Sequence, residues 1–170
     1  DTQINTPALE NPSIHNTKPL IGWDVFRNYL WSIKSDEERK RLIETKIDHH
    51  ESTPLHIICM YNPPSNIVNA MIDISDKPLW FEDSSKRLPI HIACMFRASV
   101  DVIKILIDAY PDSIDMPDKD KRKPLHHATF NIQNIPPEPD VLRLVLKPSV
   151  VYEQDAEKET PFRLFASQAK

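Results

Sequence analysis

The chain has 170 residues, 40% of them apolar and 27% charged, which is enough to bury one continuous core. A formal charge of −4 and a pI near 6.0 give no global attraction to phosphate, so nucleic acid is not an expected partner. No apolar run approaches the roughly 18 residues of a membrane span, so direct membrane insertion is not expected either.

Residues 1–19 carry Pro7, Pro12 and Pro19 among Thr, Asn and Ser and follow neither the helical nor the strand period. They are expected to form an extended tail, held by the chain's own surface or by a partner. The start at Asp1, without methionine or an apolar leader, predicts a processed or excerpted chain. From Trp23 to Ile33 the positions Trp23, Phe26, Tyr29, Leu30 and Ile33 fall at helical spacing. Ser35 with Glu38 signals the start of a second helix reaching about Thr45. In the stretch Asp36 to Arg41 the acids neutralise Arg39-Lys40-Arg41, so it reads as a solvated face. This pair, about 20–47, is expected to act as a degenerate capping unit.

One motif then recurs four times: Thr53-Pro54-Leu55-His56, Leu88-Pro89-Ile90-His91, Lys123-Pro124-Leu125-His126 and Thr160-Pro161-Phe162-Arg163. The prolines are 35, 35 and 37 residues apart, and self-similarity at that period predicts stacked supersecondary units. The units run about 48–82, 83–117, 118–154 and, in part, 155–170. Pro54, Pro89, Pro124 and Pro161 each suit the first position of a helix, where a missing N–H costs nothing. First helices are expected over 56–61, 91–96 and 126–130. Second helices follow from apolar doublets: Ile67/Val68 with Met71/Ile72, Val102/Ile103 with Leu106/Ile107, and Val141/Leu142 with Val145/Leu146. Pro78, Pro111 and Pro148 stop them.

Because Ile57-Ile58-Cys59 and Ile92-Ala93-Cys94 follow the first two motif copies, the chain resembles the ankyrin repeat family, with its Thr-Pro-Leu-His-x-Ala hallmark. Asp48, Asp83, Asp118 and Asp155 stand six places before the motif prolines, where that family places its turn. The resemblance covers 46–170 well and 20–47 loosely. It implies an all-α, ankyrin-type helical solenoid of about four to five stacked helix-pair repeats over 20–170, behind the extended tail of 1–19. It also implies that His56, His91 and His126 hydrogen-bond backbone and fix the turns, and that the partners are proteins. The chain departs from the family in having one glycine, Gly22. Glu51, Lys86, Lys121 and Lys158 occupy the turn position, and Asn62-Pro63-Pro64 or Arg97-Ala98-Ser99 lies between helices. Non-glycine residues disfavour φ > 0, which predicts more open turns, with Asn62 best suited to a left-handed conformation.

Chemistry is not expected. Repeat-equivalent histidines sit about 10 Å apart in a stack, whereas zinc needs its ligands within about 2.1 Å, so neither a metal nor a cofactor is expected. His49-His50 reads as a pair of solvated turn residues. One glycine cannot build a phosphate cradle, and Cys59 beside His56 repeats as Cys94 beside His91, which marks repeat architecture rather than a nucleophile. The same spacing keeps Cys59 and Cys94 too far apart for a disulfide, which fits a reducing intracellular compartment.

Binding is the expected role. Turn tips of the second and third units, Ser84-Ser85-Lys86-Arg87 and Lys119-Asp120-Lys121-Arg122-Lys123, form a basic middle between the acidic Asp48–Glu51 and Asp155–Glu159 ends. Lys86, Arg87, Lys119, Lys121 and Arg122 are therefore candidate contacts for an acidic or phosphorylated protein segment. The third unit's longer insertion, 131–139, adds Ile132 and Ile135 as candidates. Phe162 and Phe165 leave an apolar face at the end of the last unit. Two readings compete: a portable protein-interaction module without catalysis, and a resident subunit of a larger assembly whose neighbours bury the tail and the last unit.

Overall fold

The computed structural model describes residues 22–130 and 138–167. Its elements are helices joined by turns, and no strand occurs among the described residues. The first pair is α1 (Trp23–Ser32) and α2 (Asp36–Glu44); Ser35 Oγ caps α2 by accepting the Glu38 N–H at 3.3 Å. Then come α3 (Pro54–Cys59) with α4 (Ser65–Ile74), α5 (Pro89–Met95) with α6 (Val100–Ala109), α7 (Pro124–Thr129) with α8 (Pro139–Val145), and α9 (Pro161–Ser167). Each motif proline is the first residue of its helix, as its spacing predicts. Pro78 and Pro111 lie inside short 3₁₀ turns that follow α4 and α6.

Two rows of helices run along the stack. The inner row is α3, α5, α7 and α9, each packed on the next; the outer row is α2, α4, α6 and α8. Between the rows lies one core containing Ile43, Leu55, Met71, Ile103, Leu106 and Val145, all at most 1% exposed. No unit buries its own apolar stripe, so the hydrophobic gain is shared across neighbours. The doublets are only half interior. Ile67/Val68 and Val102/Ile103 are fully buried, Ile72 and Ile107 are half-buried, and Leu146 falls beyond α8 and stands 52% exposed. Tyr29, one of the apolar positions at helical spacing in α1, is exposed at 56%, because α1 fully buries Leu30 alone among its described residues.

The expectation of open turns is overturned. Glu51, Lys86, Lys121 and Lys158 adopt φ of 58°, 57°, 60° and 64°, so each turn closes tightly on a left-handed non-glycine residue. Asn62 is left-handed too, at φ 47°, and so is Arg97, at φ 58°. Such a residue costs about 1–2 kcal/mol. The offset is visible in each turn: the aspartate three places earlier accepts two backbone N–H bonds, and charge-assisted bonds contribute about 1.5–3 kcal/mol each. Asn62 carries its own compensation, since its Oδ1 accepts the Ser99 N–H at 2.8 Å and ties one interhelical loop to the next.

Lys158→Gly removes the left-handed penalty at an exposed side chain, against about 0.5–1 kcal/mol of added backbone entropy in the unfolded chain. Urea unfolding is expected to show the glycine variant equal to or up to about 1 kcal/mol more stable than the parent, and Lys158→Val less stable by about 1 kcal/mol or more.

Candidate protein-interaction surface

Four fingers project from the stack, all built alike. In each, one carboxylate oxygen accepts two backbone N–H bonds: Asp48 from His50 and Ser52 (3.0 and 2.8 Å), Asp83 from Ser85 and Arg87 (2.8 and 2.9 Å). Asp118 accepts from Asp120 and Arg122 (2.9 and 2.8 Å), and Asp155 from Glu157 and Glu159 (2.9 and 2.8 Å). The fingers are then laced in chain order by backbone bonds. Ser84 N–H donates to His50 O at 2.7 Å, Lys119 to Ser85 at 2.9 Å, and Ala156 to Asp120 at 2.8 Å.

The second carboxylate oxygen of three of these aspartates meets a nitrogen-bearing side chain that differs from finger to finger. Asp83 pairs with Arg87 of its own finger at 2.8 Å, Asp155 with Arg122 of the preceding finger at 2.8 Å, and Asp118 with His127 Nε2 at 2.8 Å. Burial pushes the Asp118 carboxyl up, but the His127 hydrogen bond and the Arg122 N–H outweigh it and hold the group below its ordinary value. For Asp155 burial is likewise outweighed, here by the Arg122 side chain and the Glu159 N–H. Arg122 also reaches Glu157 at 3.1 Å and lies over the Phe130 ring at 5.4 Å.

These pairs sort the candidate contacts. Arg87 and Arg122 are engaged in holding fingers and are partly buried, with side chains 25% and 15% exposed. Lys86, Lys119 and Lys121 are exposed and make no ion pair among the described residues. Ile132 and Ile135 lie outside the described residues, as does the tail of 1–19. His127 was missed as a finger-holding residue. Its signal was a polar side chain where the first two units have Ile57 and Ile92, nine residues after Asp118.

Three histidines tie the start of a motif helix to a backbone carbonyl further along the chain, in the next unit for His56 and at the end of the same unit for His91 and His126. His56, His91 and His126 accept through Nδ1 from the backbone N–H of Thr53, Leu88 and Lys123, at 3.2, 3.0 and 3.2 Å. Through Nε2 they donate to Arg87 O, Met116 O and Glu153 O, at 2.9, 2.9 and 3.1 Å. A ring that accepts on one side and donates on the other is neutral. Burial lowers all three from the usual imidazole value, His91 to about 3 with help from the neighbouring His127, whose ring meets it edge-on at 5.6 Å. Among the described residues no three His, Cys, Asp or Glu side chains gather as metal ligands. Cys59 and Cys94 are free and buried, and burial pushes both thiols up, Cys59 to about 12, which leaves them unreactive.

A helical stack laced by aspartate turns and clamped by motif histidines, with no strand among the described residues, defines a repeat solenoid. Residues 55–157 match the family model described as ankyrin repeats (3 copies), more than half the chain, and the chain belongs to the ankyrin repeat family. Repeats of this family are generally protein–protein interaction modules and generally non-catalytic. The chain matches none of the curated proteins with which it was compared. No helix among the described residues is long and apolar enough to cross a membrane.

Each clamp histidine has a folded pKa below its unfolded value of about 6.5, so the unfolded state binds more protons below that pH. Their contribution is complete above pH 6.5 and falls as pH drops, by about 1.4 kcal/mol per unit for His91 until its folded value is reached. The depressed Asp118 and Asp155 add a loss in the same direction below about pH 4. Urea midpoints at pH 7.5, 6 and 5 should decline steadily, and His91→Gln, less stable at pH 7.5, should show a shallower decline.

Proposed function

We propose that this chain is a non-catalytic protein-interaction module whose recognition face is the row of finger tips, and that its partner presents an acidic or phosphorylated segment to Lys86, Lys119 and Lys121. The single observation behind this reading is the division of labour among the basic residues. Arg87 and Arg122 are committed to buried aspartates, whereas the three lysines stand in solvent on adjacent fingers and make no ion pair among the described residues. Backbone lacing between fingers holds these lysines on a pre-ordered frame, so little entropy is lost when an extended acidic segment lies across them. Charge of this kind sets approach rate and orientation more than raw affinity, and it weakens with salt. Buried, unreactive thiols are compatible with a reducing intracellular setting for such a module.

The test uses a 15-residue peptide of alternating glutamate and glycine with a central phosphoserine. Binding to the intact chain is expected to be saturable and to weaken steeply between 50 and 300 mM salt. Reversing Lys86, Lys119 and Lys121 to glutamate should reduce affinity at least tenfold while leaving the thermal melt unchanged, since these exposed side chains make no ion pair among the described residues. Unaltered affinity in the triple variant removes the acidic-partner reading.

A further inference from the structure

His127 brings a polar ring into a position where the first two units carry Ile57 and Ile92. It is 3% exposed, and its Nε2 lies 2.8 Å from Asp118 Oδ2. An ionised carboxylate only accepts hydrogen bonds, so Nε2 carries a hydrogen and Nδ1 is the ring nitrogen left to satisfy. That nitrogen is buried and has no hydrogen-bond partner among the described residues. The adjacent ring cannot supply one. His91 meets His127 edge-on at 5.6 Å, but its Nδ1 already accepts from the Leu88 N–H and its Nε2 donates to Met116 O. Buried polar atoms are, as a rule, hydrogen-bonded, so His127 Nδ1 calls for a partner from outside the chain.

The same side chain lines a cavity between the C-terminal ends of α5 and α7 and the start of α8. Small side chains, Cys94 and Ala98 on one side and Ala128 on the other, leave about 20 Å³ there for the centre of a water molecule to occupy. One water needs roughly 10–15 Å³ counted in this way, so the space suits a single water and excludes a larger ligand. We propose that this cavity is a buried hydration site, in which one ordered water hydrogen-bonds His127 Nδ1 and bridges the α5–α6 unit to the α7–α8 unit. Water fits by chemistry as well as by size, because it donates to the lone pair of a neutral ring and accepts from the N–H of a charged one. Its other hydrogen bonds have acceptors close by. The last turn of a helix leaves backbone carbonyls without intrahelical donors, and the cavity is bordered by the last turns of α5, at Cys94 and Met95, and of α7, at His127 and Ala128. A wholly apolar cavity stays dry, and the imidazole is what makes this one polar. The chain of bonds from Asp118 through His127 to the water then links the third finger to the packing between two units.

Water-selective nuclear Overhauser spectroscopy of the intact, isotope-labelled chain reads the site directly. Cross-peaks with the sign of a long-lived bound water are expected at the His127 ring and at the Ala98 and Ala128 methyls. A high-resolution crystal structure of the same protein should show one water within hydrogen-bonding distance of His127 Nδ1. His127→Ile restores the residue type of the first two units and removes the polar partner, so the Ala98 and Ala128 cross-peaks should be lost while the amide signals of α5 and α7 persist. If that variant does not fold, His127→Phe replaces it. No bound-water cross-peak in the intact chain, cross-peaks retained in the folded variant, or a crystal structure in which Nδ1 bonds a protein group instead overturns the proposal.

Discussion

A carboxylate that closes its own turn is the interaction on which the rest of this structure depends. Asp48, Asp83, Asp118 and Asp155 each gather two backbone N–H groups, and that pair of bonds makes a left-handed glutamate or lysine tolerable three residues on. A closed turn places the next backbone carbonyl outward, at the level of the neighbouring finger. The lacing from Ser84 to His50, Lys119 to Ser85 and Ala156 to Asp120 follows from it. In a glycine-poor chain the strain usually relieved by a missing Cβ is instead balanced by charge. Keeping the side chains also leaves charge at the turns, because three of the four left-handed finger positions, Lys86, Lys121 and Lys158, carry lysines where a glycine would be bare.

The histidine clamp supplies the second constraint. Each ring joins its own N-terminal cap to a distant backbone carbonyl, in the following unit for His56 and at the end of the same unit for His91 and His126, so one side chain specifies the helix start and a long-range contact. Because both ring nitrogens are used in opposite senses, the clamp requires the neutral ring, and burial supplies the bias toward it. Arg163 stands at the equivalent position of α9 and its guanidinium cannot accept a hydrogen bond, so the contact that each ring makes to its helix cap is not available there.

Charge is divided by depth. Cations next to buried aspartates hold the scaffold, and cations at the finger tips face solvent. Arg122 belongs to the first group although its sequence neighbours Lys119 and Lys121 belong to the second. Arginine suits the buried role because its planar fork reaches Asp155 and Glu157 together and still covers the Phe130 ring. In the third finger a histidine does the corresponding work for Asp118, which places an imidazole in a position that is otherwise apolar in the stack.

The repeat spacing, the motif prolines and the apolar doublets determined the helices, their order and the family, because period and helix initiation are local properties read directly from residue type. The finger aspartates and clamp histidines were legible for the same reason, as they recur in register. What only the tertiary structure decided depended on neighbours distant in sequence. It closed turns that glycine-free sequence predicted to be open, since the compensating hydrogen bonds are invisible to single-residue preference. It turned Tyr29 and Leu146 outward, because helical spacing says which residues share a face but not whether another helix covers that face. It divided a run of basic residues into scaffold and surface, because a charge's role is set by the carboxylate it meets across about 33 residues of chain, as Arg122 meets Asp155.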